Sequence, residues 1–404
     1  MDAQRLKDNF ALVAEQGDAV ALFFYSDLFV RNPHLRDMFP IGMSHQRDKL
    51  LRALGHIVAQ VDDAADLVPF LQQLGRDHRR FGIVAEHYPH VGASLIATLR
   101  HFSGEAWSED IESDWTAAYT LVGKVMLEAA DEDALTRPAW WNGQVIAVER
   151  RRFDICVLRV QPDEPLPYEP GQSVALEVPS RLRQWRYYSM ANAPRPDHSI
   201  DFHVRLIDGG PVSPVLVRGT ETGDRVRMGA PVGTLTLDES SGRDILLVAG
   251  STGLAPLKAI LEQIAGRPEP PRVHLFFGAR TRDGLYDLEH LTKLADEFPW
   301  LTVIPAVSDE PGGHGFPSVL QSSPHAGPQS WFETAPAPGP SSPGDGDVEH
   351  GNLSDVVARR GPWDDHDAYV CGPAAMVGHT VEQLALLGVP RDRIRLETFA
   401  DAQR

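Results

Sequence analysis

Arg186-Tyr187-Tyr188-Ser189 sits near the middle of the chain, between Tyr168-Glu169-Pro170-Gly171-Gln172-Ser173 and Gly209-Gly210-Pro211-Val212-Ser213. In four residues it gathers a guanidinium, two phenol rings and a hydroxyl. A tyrosine ring packs on a flat heteroaromatic, an arginine fork meets a pyrophosphate, and a serine hydroxyl bonds a polar ring edge. A flavin dinucleotide needs that set. The plainer alternative is a strand whose tyrosines fill a core, and the flanking segments bear on the choice.

Short alternating segments surround the stretch. Gln144–Val148, Ile155–Val160, Val174–Val178, Arg186–Met190, Ile200–Val204 and Arg225–Met228 read as strands spaced by turn residues. About six such strands make a closed antiparallel barrel. The order of these phrases resembles the flavin domain of the ferredoxin–NADP reductase family, whose fingerprint is Arg-x-Tyr-Ser. The resemblance assigns Arg186 to the pyrophosphate, Tyr188 to stacking with Tyr187 beside it, and Ser189 to the isoalloxazine. It sets Gln172 and Ser173 beside the flavin. Gly210, Val212 and Ser213 would meet the phosphates at a helix start, and His203-x-Arg205 follows as in the family. Two phosphates imply FAD over FMN.

From Asp244 strands and helices alternate. Ile245–Ala249 is continuously apolar, as a buried parallel strand is. It runs into Gly250-Ser251-Thr252-Gly253-Leu254-Ala255-Pro256 and then a helix through Gln263, a turn that lets a pyrophosphate approach a helix N-terminus. Gly-x-Gly-x-x-Gly, the fingerprint of the Rossmann dehydrogenases, is absent; the loop resembles the reductase family's own. Val273–Ala279, Leu301–Val307 and Ala368–Pro373 supply further strands. Cys371-Gly372-Pro373 matches the family's nicotinamide turn, although Cys371 also reads as a small buried residue. Arg395–Phe399 closes the sheet, and the resemblance places Thr398 and Phe399 near the flavin, the aromatic moving aside for the nicotinamide. Arg280 and Arg282 suit a 2′-phosphate, whereas Phe277-Gly278-Ala279-Arg280 looks like the NADH-using members; NADH is expected and NADPH stays open. Residues 312–351, rich in Pro, Gly and Ser, read as a disordered surface insertion, with Trp331-Phe332 either a partner peptide or a loose apolar turn.

The N-terminal third has helical period only. Leu50, Leu54, Ile57, Val58 and Val61 share a face, as do Val91, Leu95, Leu99 and Phe102. Six to eight helices are expected, with Asn32-Pro33 opening a short one. A lone helical histidine such as His78 is ordinarily a surface or core residue. Phe24-Tyr25-Ser26-Asp27-Leu28-Phe29, Asn32-Pro33-x-Leu35, Met38-Phe39, Asp77-His78-x-x-Phe81 and Trp115-x-x-Ala118-Tyr119 together resemble the globin domain of the flavohaemoglobins. That resemblance implies haem b with His78 as its proximal metal ligand. It puts Tyr25, Gln46 and Leu50 on the distal side, Phe39 at the haem edge and Tyr88 in support of His78. The family's supporting carboxylate falls at Ala130; Glu128 and Asp131 flank it, and Glu128 reads either as that support or as a solvated carboxylate.

Length and composition bound these readings. At 404 residues two or three domains are expected. The boundaries read as a globin at 1–136, an FAD barrel at 137–240 and an α/β parallel-sheet NAD(P) domain at 241–404. A net charge of −18 argues against nucleic acid and anionic membranes as partners. Two distant cysteines suit a reducing compartment, and neither an apolar leader nor a run of ~20 apolar residues is seen, so a cytoplasmic protein is expected. Three modules in this order imply electron flow from NAD(P)H through FAD to haem, with O2 and NO as further small-molecule partners: a nitric oxide dioxygenase. Another NADH-driven flavohaem oxidoreductase, acting on oxygen, hydroperoxides or lipid-related substrates, is the alternative, and a gas sensor a third.

Overall fold

The computed structural model describes residues 1–309 and 348–399. Three bodies follow one another. The first is helical: α1 (Ala3–Ala14), α2 (Asp18–Arg31), α3 (Ser44–Ala59), α4 (Ala64–His78), α5 (His87–Ser103) and α6 (Glu109–Ala134). Caps set several of the starts. Asp2 accepts from Arg5 N, Asp63 from Ala65 N and Asp66 N, and Ser108 from Ile111 N. Pro33 opens a 3-10 segment, Pro33–Met38, but Asn32 does not cap it; its amide nitrogen donates back to Leu28 O at 3.2 Å. Phe24, Tyr25, Leu28, Leu95, Leu99 and Trp115 form the main core, and Leu67, Leu71 and Met126 a second one. Gly75 lets α4 lie directly on α6: a Cβ there would stand 2.2 Å from the Met126 carbonyl oxygen. This contact fixes the helix that ends at His78.

The second body is the expected barrel. Its strands are β1 (Trp141–Arg150), β2 (Ile155–Pro162), β3 (Ser173–Glu177), β4 (Arg186–Ser189), β5 (Ile200–Arg205) and β6 (Arg225–Met228), ordered β4-β3-β6-β1-β2-β5. A Met190–Phe202 bridge brings the two edges together and nearly closes it. Strand alternation fills the inside with Val145, Leu158, Val174, Leu176 and Phe202. Beyond Ser213 the expected helix start is followed by a single wide turn, Val215–Gly219.

The third body is a parallel sheet: β7 (Asp244–Gly250), β8 (Val273–Ala279), β9 (Leu301–Val307), β10 (Glu349–His350), β11 (His366–Pro373) and β12 (Ile394–Phe399), ordered β10-β9-β8-β7-β11-β12. Helices α7 (Leu254–Ala265), α8 (Leu288–Glu297), α9 (Leu353–Arg360) and α10 (Ala374–Leu386) complete it. The sheet's two faces carry separate apolar clusters, as a doubly covered parallel sheet requires. The expected insertion at 312–351 is corrected at its end: Val348 is buried and Glu349–His350 pair with Ala306–Val307 as the edge strand. The rest of that segment, with Trp331 and Phe332, lies outside the described residues.

Candidate functional site: a haem, flavin and nicotinamide relay

The haem side is built on α2, α3 and α4. His78 closes α4, and its Nδ1 lies 2.6 Å from Leu74 O, one turn back. That bond orients the ring and leaves Nε2 without a hydrogen bond among the described residues. Burial lowers the His78 pKa, which keeps the imidazole neutral and able to ligate a metal. Tyr25 is 6% exposed, and burial pushes its phenol up to about 12, so it stays a donor. Its ring meets Phe39 edge-on at 5.4 Å and stacks with Phe29 at 5.8 Å. Leu50 packs on the same cluster. Gln46 reaches Tyr25 through its main-chain carbonyl, at 3.5 Å, and not through its amide.

The proximal support differs from expectation. Among the described residues no hydrogen bond joins Tyr88 to His78. Tyr119 Oη donates to Tyr88 O at 2.7 Å, and burial followed by the Asp131 charge raises the Tyr88 phenol to about 12. Glu128 is exposed and stands 3.8 Å from Lys124 on the next turn, which is the solvated reading. The two arginines after His78 have opposite anchors. Arg79 pairs with Asp133 and donates to Arg137 O at 2.9 Å, while Arg80 donates to Tyr187 Oη.

On β4 the alternation of side chains sorts the fingerprint. Arg186 and Tyr188 share one face, and Tyr187 points to the other, toward Arg80. The expected flavin contact of Tyr187 is therefore replaced by an inter-domain one. Arg186 donates only to Trp185 O, with no carboxylate partner among the described residues. Lys49 on α3 has its pKa lowered by burial and then by Arg186, Arg80 and Arg52. A guanidinium without an anion and a gathering of cations suit carboxylates and phosphates, the charged parts of a haem and of FAD. Tyr188 is half-buried against the barrel core and Ser189 is buried. Gln172 Oε1 accepts from Glu169 N at 2.9 Å, and Ser173 Oγ lies 3.5 Å from Val232 O. Buried Ser213 accepts from Ile207 N at 3.0 Å and shapes the Gly210–Val212 turn.

His203 is turned toward the sheet domain. It is buried with Nδ1 2.8 Å from Tyr286 Oη, and burial, then Lys258, drives its pKa down to about 3. It is a seam between barrel and sheet. Arg205 works on the same seam, donating to Ser251 Oγ at 2.9 Å.

The nicotinamide loop rests on the Cys371-Gly372-Pro373 turn. A Cβ on Gly253 would lie 2.2 Å from Cys371 O, and one on Gly250 3.0 Å from Pro373 Cδ. Ser251 takes a left-handed φ of 54°, and Thr252 and Gly253 complete a 3-10 turn before Leu254, Ala255 and Pro256 open α7. A cradle this bare of side chains suits a dinucleotide lying on backbone. Gly372 and Pro373 pair with Thr398 and Phe399 on β12. Opposite Cys371, in the same register, stands Glu397, whose carboxyl burial raises to about 7 and whose Oε2 is buried without a hydrogen-bond partner among the described residues. The sequence reading missed it; its place one residue before Thr398 was the available signal. Arg280 is exposed beyond β8.

Three domain families match the chain in this order: Globin over residues 22–126, Oxidoreductase FAD-binding domain over 145–237 and Oxidoreductase NAD-binding domain over 247–321. Fold and site thus define a globin-linked flavin oxidoreductase. A flavohemoprotein of Vibrio cholerae is 25% identical over 98% of this chain and 96% of its own length. The crystal structure of a flavohemoglobin from Malassezia yamatoensis, with bound FAD and haem, superposes with a TM-score of 0.73 at 17% identity, covering 98% of each chain. The FAD/NAD-binding domain of a Vibrio cholerae nitric oxide dioxygenase covers 64% of this chain and 98% of its own, with a TM-score of 0.51 and 22% identity. The chain is similar over nearly its whole length to flavohemoproteins, and its cofactors are haem, FAD and NAD. No described helix is long and apolar enough to cross a membrane.

Proposed function

We propose that the chain is a nitric oxide dioxygenase that takes electrons from NADH and converts nitric oxide and dioxygen to nitrate. The observation that carries this is Tyr25: a buried phenol held as a donor, in a wall of Phe29 and Phe39, with only a long bond to Gln46 O competing for its proton. When bound, the nicotinamide supplies a hydride, the flavin splits it into single electrons, and the haem supplies the iron chemistry between dioxygen and nitric oxide. Within this reading His78 would hold the iron in its neutral form. Tyr25 offers its hydroxyl to the oxygen side, and the Gln46 carbonyl aims it. Phe39 and Leu50 keep water out. Arg186 would hold the FAD pyrophosphate, Tyr188 the ring and Ser189 its polar edge. The bare backbone from Gly250 to Pro256 and the Cys371–Pro373 turn, beside Thr398 and Phe399, would receive the nicotinamide. The Vibrio cholerae neighbour named nitric oxide dioxygenase shares the fold of the reductase half.

The test is Tyr25→Phe. Loss of one oriented donor is expected to lower nitrate formation roughly 100-fold while NADH still bleaches the flavin at the parent rate. Undiminished nitrate output would remove Tyr25 from the mechanism. The second reading, a flavohaem reductase of oxygen or hydroperoxides, has one observation in its favour: Glu128 stands away at Lys124, so that acid does not support His78. NADH turnover that does not rise on adding nitric oxide would select it.

A further inference from the structure

We propose that Arg80 is a positioning residue that locks the loop after His78 onto the back of the flavin-binding strand, and so sets the rate at which electrons pass from flavin to haem. This rests on the electron path stated above and concerns a contact that path does not itself require.

Arg80 lies in the short 3-10 segment Arg79–Phe81, two residues beyond His78. Its side chain is 11% exposed, low for an arginine on a connecting segment. It crosses from the globin to the barrel: Nη1 and Nη2 each donate to Tyr187 Oη at 3.1 Å. The guanidinium also lies 5.7 Å from the Trp185 ring centroid, 5.4 Å from that of Tyr187 and 5.3 Å from that of Phe81. Asp77, beside His78, stands 3.5 Å from Nη1. Gly229 leaves the room, since a Cβ there would meet Nη1 at 3.3 Å. One guanidinium is thus caged by three aromatic rings, two of them on the segment that carries the FAD fingerprint.

The strand converts this contact into a position. Tyr187 is flanked by Arg186 and Tyr188, which face the other way. A clamp on Tyr187 from behind fixes where its neighbours present themselves in front. At the other end Arg79, the preceding residue, is tied to Asp133 and to Arg137 O at the close of α6. The segment after the proximal histidine is therefore pinned on one side to its own domain and on the other to the flavin strand. A lysine cannot reproduce this, because it lacks the planar fork.

The experiment uses the holoprotein, mixed anaerobically with NADH under carbon monoxide. Flavin bleaching and the growth of the carbonyl haem band are followed separately. In Arg80→Ala the flavin phase is expected at the parent rate and the haem phase slowed at least ~10-fold, the scale of an ångström-level misplacement. Arg80→Lys should fall between. Tyr187→Phe, which deletes one oxygen and so keeps the fold, should slow the haem phase in the same direction. Hydrogen exchange at residues 79–82 and 185–188 should rise together in the alanine variant, a readout independent of turnover. Parent-rate haem reduction in both Arg80→Ala and Tyr187→Phe, with exchange raised, would make Arg80 mere adhesive and overturn the proposal. If the unaltered protein bleaches its flavin and never reduces its haem, the electron path itself fails and this proposal falls with it, an outcome distinct from the first because the parent chain shows it.

Discussion

Gly253→Ala tests the nicotinamide cradle most directly. The added methyl would sit 2.2 Å from the Cys371 carbonyl oxygen, 2.5 Å from its carbon and 2.8 Å from Gly372 N. All three are backbone atoms of a strand tip buried between β7 and β12, so no rotamer relieves the clash. Ordinary contact begins near 3.4 Å, and the loop and the turn must therefore separate by about 1 Å, a displacement that costs on the order of 100-fold when it falls between reacting groups. The overpacking itself should destabilise the NAD domain by about 1–3 kcal/mol, well short of unfolding it. The assay is anaerobic flavin bleaching by NADH against bleaching by dithionite, with haem and FAD content measured alongside. Slow reduction by NADH with normal reduction by dithionite and full cofactor loading is the expected result. Parent-rate reduction by NADH would refute the inference that the Gly253–Cys371 approach sets the hydride geometry.

Two further substitutions probe the seams. Glu397 has a folded pKa raised by burial to about 7, so the folded chain holds a proton there that the unfolded chain releases earlier. The stability this contributes is present below the unfolded value of about 4.5 and is lost as pH rises through about 7. Glu397→Gln should therefore gain thermal stability over the parent as pH is raised from about 5 to 8, and a melting-temperature difference independent of pH would contradict it. Tyr286→Phe leaves His203 Nδ1 buried without its 2.8 Å partner, an expected loss of about 1–3 kcal/mol in denaturant unfolding; an unchanged midpoint would mean that water takes the hydroxyl's place.

The legible parts of the chain were those where local pattern and chemistry coincide. All six barrel strands were readable because each alternates over four or more residues between turn clusters, and Gly250-Ser251-Thr252-Gly253 because its glycines stand where backbone meets backbone. Tyr187 was misread as a cofactor contact: sequence gives a strand's alternation but not what waits on its far side. Nothing local marks Arg79 and Arg80 for the same reason, since their partners lie 54 and 107 residues away. His203 looked like part of a binding phrase, yet its role depends on Tyr286, which belongs to another domain. Glu128 and Asp131 are three residues apart on α6, and only the rotation of that helix decides whose charge is felt at Tyr88. The edge strand Glu349–His350 is too short to show period.

That edge strand bears on how the chain is assembled. Val307 pairs with His350 and Ala306 with Glu349 in parallel, so β10 begins within roughly 6 Å of where β9 ends, one strand spacing across and one residue back. Residues 310–347 lie between those two strands in the sequence. Loop-closure cost grows only by about 0.6 kcal/mol per doubling of length, so the sheet is almost indifferent to what is carried there. Trimming this connection, or splicing a foreign domain into it, should therefore leave intact the strand order that aligns Gly253 with Cys371.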